Sequence, residues 1–472
     1  MKKTLVWLRR DLRLEDHHAL SYALHNFDQV YCCFVFDPLI LDKLPSKQDR
    51  RVTFLMNCVD EVDQTLRSNE SALIIRYGNP LNIIPQLAQE LKVETVLANR
   101  DYEPYAKLRD SQVKKKLGTI LFKTFKDHVF FETPEVLSKT ETLYRVYTPY
   151  KNSWLNKFDE QQEVIANYSC PLNKIAPVPT TLAPPQNWHK EIGFMNTPGP
   201  LEGGRKQALK RLKNFAPGIK QYADTRNFPA NLKGTSGLSP YLRFGCVSIR
   251  ECLKTAVTMG GILHNQWLME LIWRDFYQMI LDTHPHVEKG AFKKEYDGIP
   301  YENDVKLFTA WKDGLTGFPL VDAAMRCFKQ TGLMHNRLRM VVASFLCKTL
   351  LIDWKWGEEY FAHNLMDFDL AANSGGWQWS SSSGCDAQPY FRIFNPYSQS
   401  EKFDPDGIFI KTWVPELKNY PVKWIHAPHT ANEFEQASWG CMVGQDYPGP
   451  IVDYSVMRQK AMNLYKEHLQ KR

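Results

Sequence analysis

The sequence predicts an α/β N-terminal domain with a doubly wound parallel sheet, joined by a long linker to a large all-α domain. Short β-rich apolar runs alternate with amphipathic segments in the first third, a proline-rich stretch follows, and helical periodicity dominates after residue 201. A chain of 472 residues also exceeds the size of a usual single core. We therefore expect three parts, at 1–131, 132–200 and 201–472.

Five apolar runs in the first part are typical of buried parallel strands, and three segments between them carry helical periodicity. The strands are expected at 4–8, 29–36, 72–77, 93–98 and 119–125, and the helices at 49–68, 79–92 and 103–117. This alternation predicts right-handed crossovers. No G-x-G-x-x-G motif follows the first strand, so that kind of dinucleotide site is not predicted, and the strand-end loops are a candidate ligand crevice.

The middle and last parts differ in composition. The stretch PLNKIAPVPTTLAPPQNW is rich in proline and has no periodicity, which predicts a linker over the surface. Helical periodicity then appears at 202–215, 265–281, 318–330 and 336–353.

Composition excludes several classes of protein. Hydrophobic residues make up 43% and charged residues 24%, as in folded soluble proteins. We expect neither a signal peptide nor a membrane span, because no run of 18 apolar residues occurs and the N-terminus leads directly into a strand. The 10 cysteines form no C-x-x-C motif, which indicates buried thiols in a reducing cytoplasm and no metal site. The net charge of +7 favours an anionic partner only weakly.

The segment QWLMELIWRDFYQMI has two faces at helical spacing. Trp267, Leu271 and Phe276 fall near one face, whereas the other face carries Glu270, Trp273, Arg274 and Tyr277. Such a helix is often a core helix with an internal Glu–Arg pair. The alternative is a carboxylate and an indole that are presented together into a cavity.

Two further motifs carry polar groups in apolar surroundings. The loop GTSGLSP (234–240) offers hydroxyl and backbone N–H donors that suit phosphate, although a plain turn before a helix has the same composition. GLMHNRLRM (332–340) places two arginines on adjacent helical faces, where they suit a phosphate and a carboxylate. Asp367 and Asp369 follow in MDFDLAAN, and Arg339 is expected to pair with one of them.

The stretch NSGGWQWSSSSGCDAQPYFRIFNP (373–396) combines bulky indoles with a glycine pair. Trp377 and Trp379 are too close in sequence to share a helical face, so we expect one to be buried and the other to face a surface cavity. Aromatic rings near Arg392 and Lys402 suit stacking on extruded bases, which contributes roughly 1–3 kcal/mol per base. A tryptophan-rich core turn is the alternative.

Taken together, these segments resemble the photolyase/cryptochrome flavoprotein family, and most closely its bacterial class I cyclobutane pyrimidine dimer photolyases. The resemblance runs from LVWLRRDLRLEDHHAL at the start to YFRIFNP and EKFD, and the order NRLRM…DLAANSGGWQW is its most specific part. It implies a U-shaped FAD in the helical domain, a second antenna chromophore, and light-driven repair of dimers in UV-damaged DNA. A monomeric cytoplasmic enzyme is expected.

The resemblance also assigns roles to residues. It implies that FAD is held by Tyr222, Thr235, Ser236, Gly237, Leu238, Ser239, Trp267, Arg339, Asp367, Asp369 and Asn373, the last facing flavin N5. The dimer would contact Glu270, Asn336 and Met340 between Trp273 and Trp379. DNA contacts are implied for Arg226, Arg274, Tyr277, Arg337, Arg392, Gln399 and Lys402. Glu270, Asn336 and Asn373 would be catalytic, and electrons would reach the flavin through Trp377 and Trp354. Tyr301 would be the outer end of this relay, or another indole, Trp311 or Trp356, would bypass it.

Three positions depart from the family pattern. Leu333 stands where relatives usually carry an aromatic residue, and Tyr301 stands where the outermost tryptophan of the electron relay is expected. Tyr105-Ala106 replaces the Asn-Glu pair of folate-binding relatives. The resemblance therefore favours an antenna of the deazaflavin or flavin type over methenyltetrahydrofolate, with candidate contacts at Asp37, Arg51, Asp101 and Glu103.

Two other functions remain open within the same family. A cryptochrome-type blue-light receptor is less favoured, because the chain has no long tail and retains the implied dimer contacts. A (6-4) photolyase is less favoured, because His335 alone does not supply the histidine pair that such an enzyme needs.

Overall fold

The computed structural model describes residues 1–161, 167–185 and 187–470. Packing divides the chain into two compact units, which are described separately. The first unit comprises Met1–Lys220 and Ser236–Pro285, and the second comprises Gln221–Thr235 and His286–Arg472. Part of the region that the sequence marks as helical therefore packs with the sheet. The division into antenna, linker and catalytic parts stays a prediction.

A five-stranded parallel sheet forms the centre of the first unit. Its strands are β1 (Lys3–Leu8), β2 (Gln29–Phe36), β3 (Leu73–Tyr77), β4 (Thr95–Asn99) and β5 (Leu121–Phe125). Their order is β3-β2-β1-β4-β5, so the sheet is doubly wound as predicted, with the change of direction between β1 and β4. In such sheets the crevice at the carboxyl ends of the strands beside this switch point is the usual ligand site.

In the described part of the chain, eleven α-helices precede residue 285, and five of them match the predicted periodic segments. They are α1 (His18–Asn26), α2 (Pro38–Leu41), α3 (Arg50–Arg67), α4 (Pro80–Glu90), α5 (Pro104–Lys116), α6 (Tyr147–Gln161), α7 (Arg205–Phe215), α8 (Tyr222–Thr225), α9 (Ser239–Arg243), α10 (Ile249–Gly260) and α11 (Gln266–Thr283). All except α8 belong to the first unit. The helices predicted at 49–68, 79–92, 103–117, 202–215 and 265–281 are confirmed as α3, α4, α5, α7 and α11.

The segment predicted as a linker is not irregular throughout, because it contains α6. This helix is anchored by aromatic side chains: Tyr150 and Trp154 are each 1% exposed. Trp154 stacks on Phe158 with the ring centroids 4.9 Å apart. Proline-rich composition predicts the later part of the segment and misses α6, whose stability comes from this tertiary burial.

A buried ion network joins α10 to the sheet. Arg13 follows β1, Asp127 follows β5, and Arg250 lies in α10; Asp127 accepts from the Nη2 atoms of Arg13 and Arg250, each at 2.6 Å. Arg250 Nε also donates to Asp16 at 3.0 Å. All four side chains are nearly inaccessible to water. Burial opposes ionisation of Asp127, yet the two arginines hold its pKa below the usual value.

The second unit is helical. Besides α8 it contains α12 (Val305–Asp313), α13 (Pro319–Thr331), α14 (Asn336–Lys348), α15 (Trp354–Asn364), α16 (Leu370–Ser381), α17 (Pro396–Phe403), α18 (Ile408–Trp413), α19 (Val422–Ile425), α20 (Glu433–Trp439) and α21 (Tyr454–Gln470). One apolar core, built largely from α13, α14 and α18, runs through the unit. Among the described residues, every helix is too short or too polar to cross a lipid bilayer.

We expect Asp127→Asn to lower the free energy of unfolding by about 3–5 kcal/mol, because it leaves two buried guanidinium groups without their shared anion. Urea unfolding followed by circular dichroism measures this change. The matched control is Asp313→Asn, which removes a surface pair with Lys329 and should cost at most about 1 kcal/mol. Equal effects of the two substitutions would contradict the importance of the buried network.

Candidate functional site

Helix α11 has the two faces that the sequence predicts. Trp267, Leu271 and Phe276 are buried, whereas the opposite face carries four half-buried side chains, Glu270, Trp273, Arg274 and Tyr277. Glu270 Oε1 accepts a hydrogen bond from Gln266 Nε2 at 2.8 Å. The first unit thus presents a carboxylate and two aromatic rings side by side on one helix.

Trp273 is held in place by a residue that the sequence analysis missed. Tyr147 of α6 stacks on its indole with the ring centroids 3.5 Å apart and the planes within 7° of parallel. The Tyr147 hydroxyl donates to the carbonyl oxygen of Met269 at 2.7 Å, which ties the ring to α11 itself. No short-range sequence signal marks this partner, because it lies 126 residues earlier in the assumed linker.

Two other side chains fix α11 within the first unit. Arg274 Nη1 donates to the carbonyl oxygen of His128 at 2.5 Å. Asp275, which is 1% exposed, accepts from the backbone N–H of Phe130 at 3.2 Å and from Trp154 Nε1 at 3.2 Å. Burial raises the pKa of Asp275 to about 6, although Arg274 opposes the shift. The sequence marks Arg274 as a DNA contact, and the structure gives its guanidinium a structural role as well.

The loop that was predicted to contact phosphate leads into the short helix α9. Ser236 and Gly237 are half-buried, and Gly237 has a φ of 61°. A Cβ atom at this glycine would lie 2.7 Å from Arg211 Nη1, so a guanidinium group stands directly beside the loop. Arg211 lies on α7 and was not identified from the sequence, because lysine and arginine are frequent along that helix. The loop therefore combines backbone N–H groups with a neighbouring cation.

In the second unit, Arg339 and Asp367 form the expected ion pair. Arg339 Nη2 lies 2.8 Å from Asp367 Oδ2, and Arg339 Nε donates to the carbonyl oxygen of Met334 at 2.9 Å. Asp369 instead caps α16 by accepting from the Ala372 N–H at 3.2 Å. The described residues contain no cluster of three or more His, Cys, Asp or Glu side chains placed to hold a metal ion.

Asn373 lies on α16 and is held by a carboxylate that the sequence analysis missed. Its Nδ2 atom donates to Glu358 Oε1 at 2.7 Å and to the Glu358 carbonyl oxygen at 3.1 Å. No donor among the described residues reaches its Oδ1 atom. At Gly376, one turn later on the same face, an added Cβ would meet no atom within 4 Å. Glu358 of α15 thus holds the Asn373 amide through its NH₂ group.

The two indoles of α16 differ in burial, as predicted. Trp377 is 3% exposed, and Trp379 is half-buried. The Trp377 ring packs so closely on α15 that a Cβ atom at Gly357 would lie 2.1 Å from it. Trp377 also contacts Trp311 with the ring centroids 6.2 Å apart. Trp354 is buried at the start of α15.

Tyr301 lies in a phenol pair. Its hydroxyl is 2.8 Å from that of Tyr465, which donates to the carbonyl oxygen of Ser381 at 3.1 Å. Burial, and then the proximity of Tyr465, raise the pKa of Tyr301 well above its usual value. Leu333, the other departure in this unit, is half-buried beside Thr331, whose hydroxyl accepts its backbone N–H at 3.1 Å.

Three of the residues predicted to contact DNA come together in the second unit. The Arg337 guanidinium and the Lys402 ammonium lie 4.3 Å and 5.5 Å from the centroid of the Phe403 ring. Arg337 Nη2 donates to the neutral amide oxygen of Asn227 at 2.9 Å. Burial, and then the charge of Arg226, lower the pKa of Arg337. Burial and the charges of Arg337 and Arg226 also lower the pKa of His335 to about 4, so this histidine is neutral.

The other predicted DNA contacts of the second unit lie on α14 or after α16. Asn336 is the exposed first residue of α14, and Met340 follows one turn later. Arg392 is exposed, and its carbonyl oxygen accepts from Lys348 Nζ at 3.2 Å. Gln399 Oε1 is buried and has no partner among the described residues.

The predicted antenna residues lie near the carboxyl ends of the strands. Asp101 and Glu103 follow β4 and accept from Arg10 Nη1 at 3.1 Å and 2.8 Å. Asp37 follows β2 and accepts from the Tyr105 hydroxyl at 2.5 Å. Arg51, at the start of α3, pairs with Asp49 at 2.6 Å. Burial opposes ionisation of Asp101, yet Arg10 keeps its pKa below the usual value.

Comparisons with known proteins identify both units. A family model described as DNA photolyase matches residues 4–168, and one described as the FAD binding domain of DNA photolyase matches residues 267–467. A deoxyribodipyrimidine photo-lyase from Synechococcus is 39% identical, with 98% of this chain and 96% of the relative covered. The chain belongs to the DNA photolyase family.

Three solved structures are also similar. A class III photolyase from Agrobacterium tumefaciens has a TM-score of 0.87 at 32% identity, with 100% of this chain and 98% of that chain covered. A Synechocystis cryptochrome has a TM-score of 0.86 at 29% identity, with 98% and 99% covered. An archaeal photolyase from Sulfolobus tokodaii, solved with two FAD molecules, has a TM-score of 0.80 at 33% identity, with 98% and 100% covered.

The residues present fit an FAD. A flavin ring carries N–H donors and carbonyl acceptors, and the second unit offers an unsatisfied amide oxygen on Asn373 and a guanidinium on Arg339. In the first unit, the loop at Ser236 and Gly237 with the adjacent Arg211 suits a diphosphate.

Proposed function

We propose that this photolyase repairs cyclobutane pyrimidine dimers in UV-damaged DNA. The observation that carries the proposal is the half-buried face of α11, which presents Glu270 and Trp273 together in a chain that matches deoxyribodipyrimidine photo-lyases over nearly its whole length. Bound reduced FAD supplies the light-driven electron that opens the cyclobutane ring, and the electron returns afterwards, so no net redox change occurs. The rest of the task, which is binding and orientation, falls to the protein.

Side chains on α11 in the first unit suit contacts with an extruded dimer, and so, taken separately, do side chains on α14 in the second unit. A carboxylate at Glu270 accepts from pyrimidine N–H groups, and an amide at Asn336 pairs with their carbonyl oxygens. Trp273 and Trp379 offer ring surfaces, and stacking on such rings contributes roughly 1–3 kcal/mol per base. Extruding a damaged pair costs less than extruding an intact one, which favours the lesion over normal sequence. The Tyr147 stack keeps the Trp273 indole in one orientation.

The FAD contacts are assigned residue by residue, as the resemblance implies them. Phosphate contacts are assigned to the loop 235–239, where Arg211 stands beside Gly237, and flavin contacts to Arg339, Asp367 and Asn373. Tyr222 and Trp267, which are buried, complete the set. Asp369 contributes by capping α16 and so positioning Asn373.

Contacts with the phosphates of the DNA backbone are assigned to cations of the second unit. Arg226, Arg337 and Lys402 lie near one another, and Arg337 makes its side-chain bonds to a neutral amide oxygen. Mutual repulsion between cations is relieved when a phosphate binds between them, which supports this assignment. Arg392 adds an exposed fourth cation, and Gln399, Tyr277 and Arg274 are assigned to the rim.

The antenna chromophore is assigned to the carboxyl edge of the sheet. Asp37, Asp101 and Glu103 follow β2 and β4, next to the switch point where doubly wound sheets bind ligands. Tyr105, whose hydroxyl is bonded to Asp37, occupies the place of the folate-binding pair. The second FAD of the Sulfolobus relative supports a flavin-type or deazaflavin-type antenna over methenyltetrahydrofolate. We further propose that the protein is a monomer of the cytoplasm.

The first prediction concerns the reaction itself. Reduced protein that is incubated with dimer-containing oligonucleotide under blue light should restore the intact pyrimidines, whereas a dark incubation should not. Chromatography of the digested oligonucleotide measures both products. Loss of (6-4) lesions with persistence of dimers would refute the assignment, and a cryptochrome-type receptor would repair neither.

The second prediction concerns the phosphate contacts. Four contacts, from Arg226, Arg337, Arg392 and Lys402, should give a log–log salt slope of about −3 to −4 through counterion release. Arg337→Ala should make this slope shallower by about 1 for every sequence. Lys418→Ala, an exposed lysine of the same unit, is the control and should leave the slope unchanged. A flat wild-type slope, or equal affinity for undamaged duplex, would argue against this interface.

The third prediction concerns the antenna. Protein that is purified from its native host should release a deazaflavin or a second flavin, because the side chains at the sheet edge lack the folate-binding pair. Denaturation followed by chromatography and absorption spectroscopy identifies the released compounds. Stoichiometric methenyltetrahydrofolate would overturn the assignment.

The fourth prediction concerns the route by which oxidised flavin is reduced in light. An oxidised tyrosine must lose its phenolic proton, and among the described residues the Tyr301 hydroxyl is hydrogen-bonded to another phenol, Tyr465, which donates to the carbonyl oxygen of Ser381. We therefore expect the route to bypass Tyr301 through Trp311, which contacts Trp377.

Transient absorption distinguishes the two routes. Tyr301→Phe should leave flavin photoreduction unchanged, whereas Trp377→Phe should impair it and Trp311→Phe should slow it. Tyr301→Phe should leave repair by chemically reduced enzyme unchanged. A tyrosyl radical that forms in the wild type and is absent in Tyr301→Phe would show that the proton-coupled route through Tyr301 operates instead.

A further inference from the structure

The orientation of the Asn373 amide is fixed by a single residue. Both hydrogens of Nδ2 are engaged by Glu358, one by Oε1 at 2.7 Å and the other by the backbone carbonyl at 3.1 Å. A carbonyl oxygen accepts and never donates, so the NH₂ group must face Glu358. The Oδ1 atom is therefore turned away from the two Glu358 acceptors.

The carboxyl group of Glu358 lies in surroundings that disfavour its charge. Burial raises its pKa to about 7, and the hydrogen bond from Asn373 opposes the shift. The ionisable groups that act on it are both acidic, Glu359 on the same helix and Glu288, and each raises the pKa further. Within the described part of the chain, no cation offsets them. The group consequently changes its charge around neutral pH.

We propose that Glu358 is a positioning residue that holds the Asn373 oxygen toward the flavin and, through its own charge, sets the reduction potential of the bound FAD. The proposal rests on the placement of Asn373 beside the flavin. It assigns a role to a side chain that itself touches neither substrate nor cofactor.

The ionised carboxylate acts on the flavin through its charge. It adds a negative charge near the proposed position of the ring, which disfavours a second negative charge there. The ionised carboxylate therefore lowers the potential for reduction to the anionic reduced flavin. Protonation of Glu358 removes this charge, so the potential should rise as the pH falls through about 7.

The test compares Glu358→Gln with wild type in the FAD-loaded protein by spectroelectrochemical titration, well below and well above neutral pH. Above neutral pH, the variant should show roughly a tenfold higher ratio of reduced to oxidised flavin at fixed potential, which is ~59 mV for one electron. Below neutral pH, the two proteins should agree, because wild-type Glu358 is then uncharged. The control is Glu359→Gln, which alters the exposed neighbour of Glu358. Its flavin potential should match that of wild type at both pH values.

A difference of the same size at every pH, or no difference, would overturn the proposal, because a merely structural role does not follow the charge of Glu358. Infrared spectroscopy of the FAD-loaded wild type gives a second readout, since the protonated carboxyl band should titrate near neutral pH and be absent in Glu358→Gln. If that band does not titrate near neutral pH, the proposal about Glu358 fails and the placement of Asn373 beside the flavin is unaffected. If the band titrates but wild type and Glu358→Gln have the same reduction potential, the placement of Asn373 beside the flavin fails as well.

Discussion

The buried network around Asp127 determines which parts of the chain lie beside the sheet. Arg250 brings α10 to the ends of β1 and β5, and α11 follows α10 after a short turn. Arg274 and Asp275 then bond α11 itself to the backbone at His128 and Phe130. The half-buried face of α11 is therefore held by this network together with the bonds of α11. Breaking one of these pairs is costly because the remaining partner would be a buried charge with neither a counterion nor water around it.

The sequence predicts the elements whose signal is local, and fails where the signal lies in a distant partner. The five strands and the periodic helices are correct because alternation and amphipathicity are short-range patterns. The two faces of α11, the Arg339–Asp367 pair and the division of Trp377 from Trp379 follow from helical spacing and charge. Tyr147 and Glu358 were missed, since neither a stacked phenol in a supposed linker nor one acid among several shows its partner in the sequence.

Some arginines have carboxylate partners and one predicted DNA contact does not. In the first unit Arg9, Arg13 and Arg250 are paired with carboxylates inside the protein, as is Arg339 in the second unit. Arg337 of the second unit instead donates to the amide oxygen of Asn227. A neutral acceptor leaves the charge of Arg337 uncompensated at that contact, and this is the electrostatic basis for proposing it as a phosphate contact.

The contact between Gly357 and Trp377 has a consequence for inherited variation. An added Cβ at position 357 would lie 2.1 Å from the Trp377 ring and 2.6 Å from Leu346 Cδ2, so it would collide with side chains of two other helices. A smaller residue at 377 alone would not make room for a side chain at 357, because Leu346 would still block it. We therefore expect relatives that keep both the tryptophan and the leucine to keep the glycine as well.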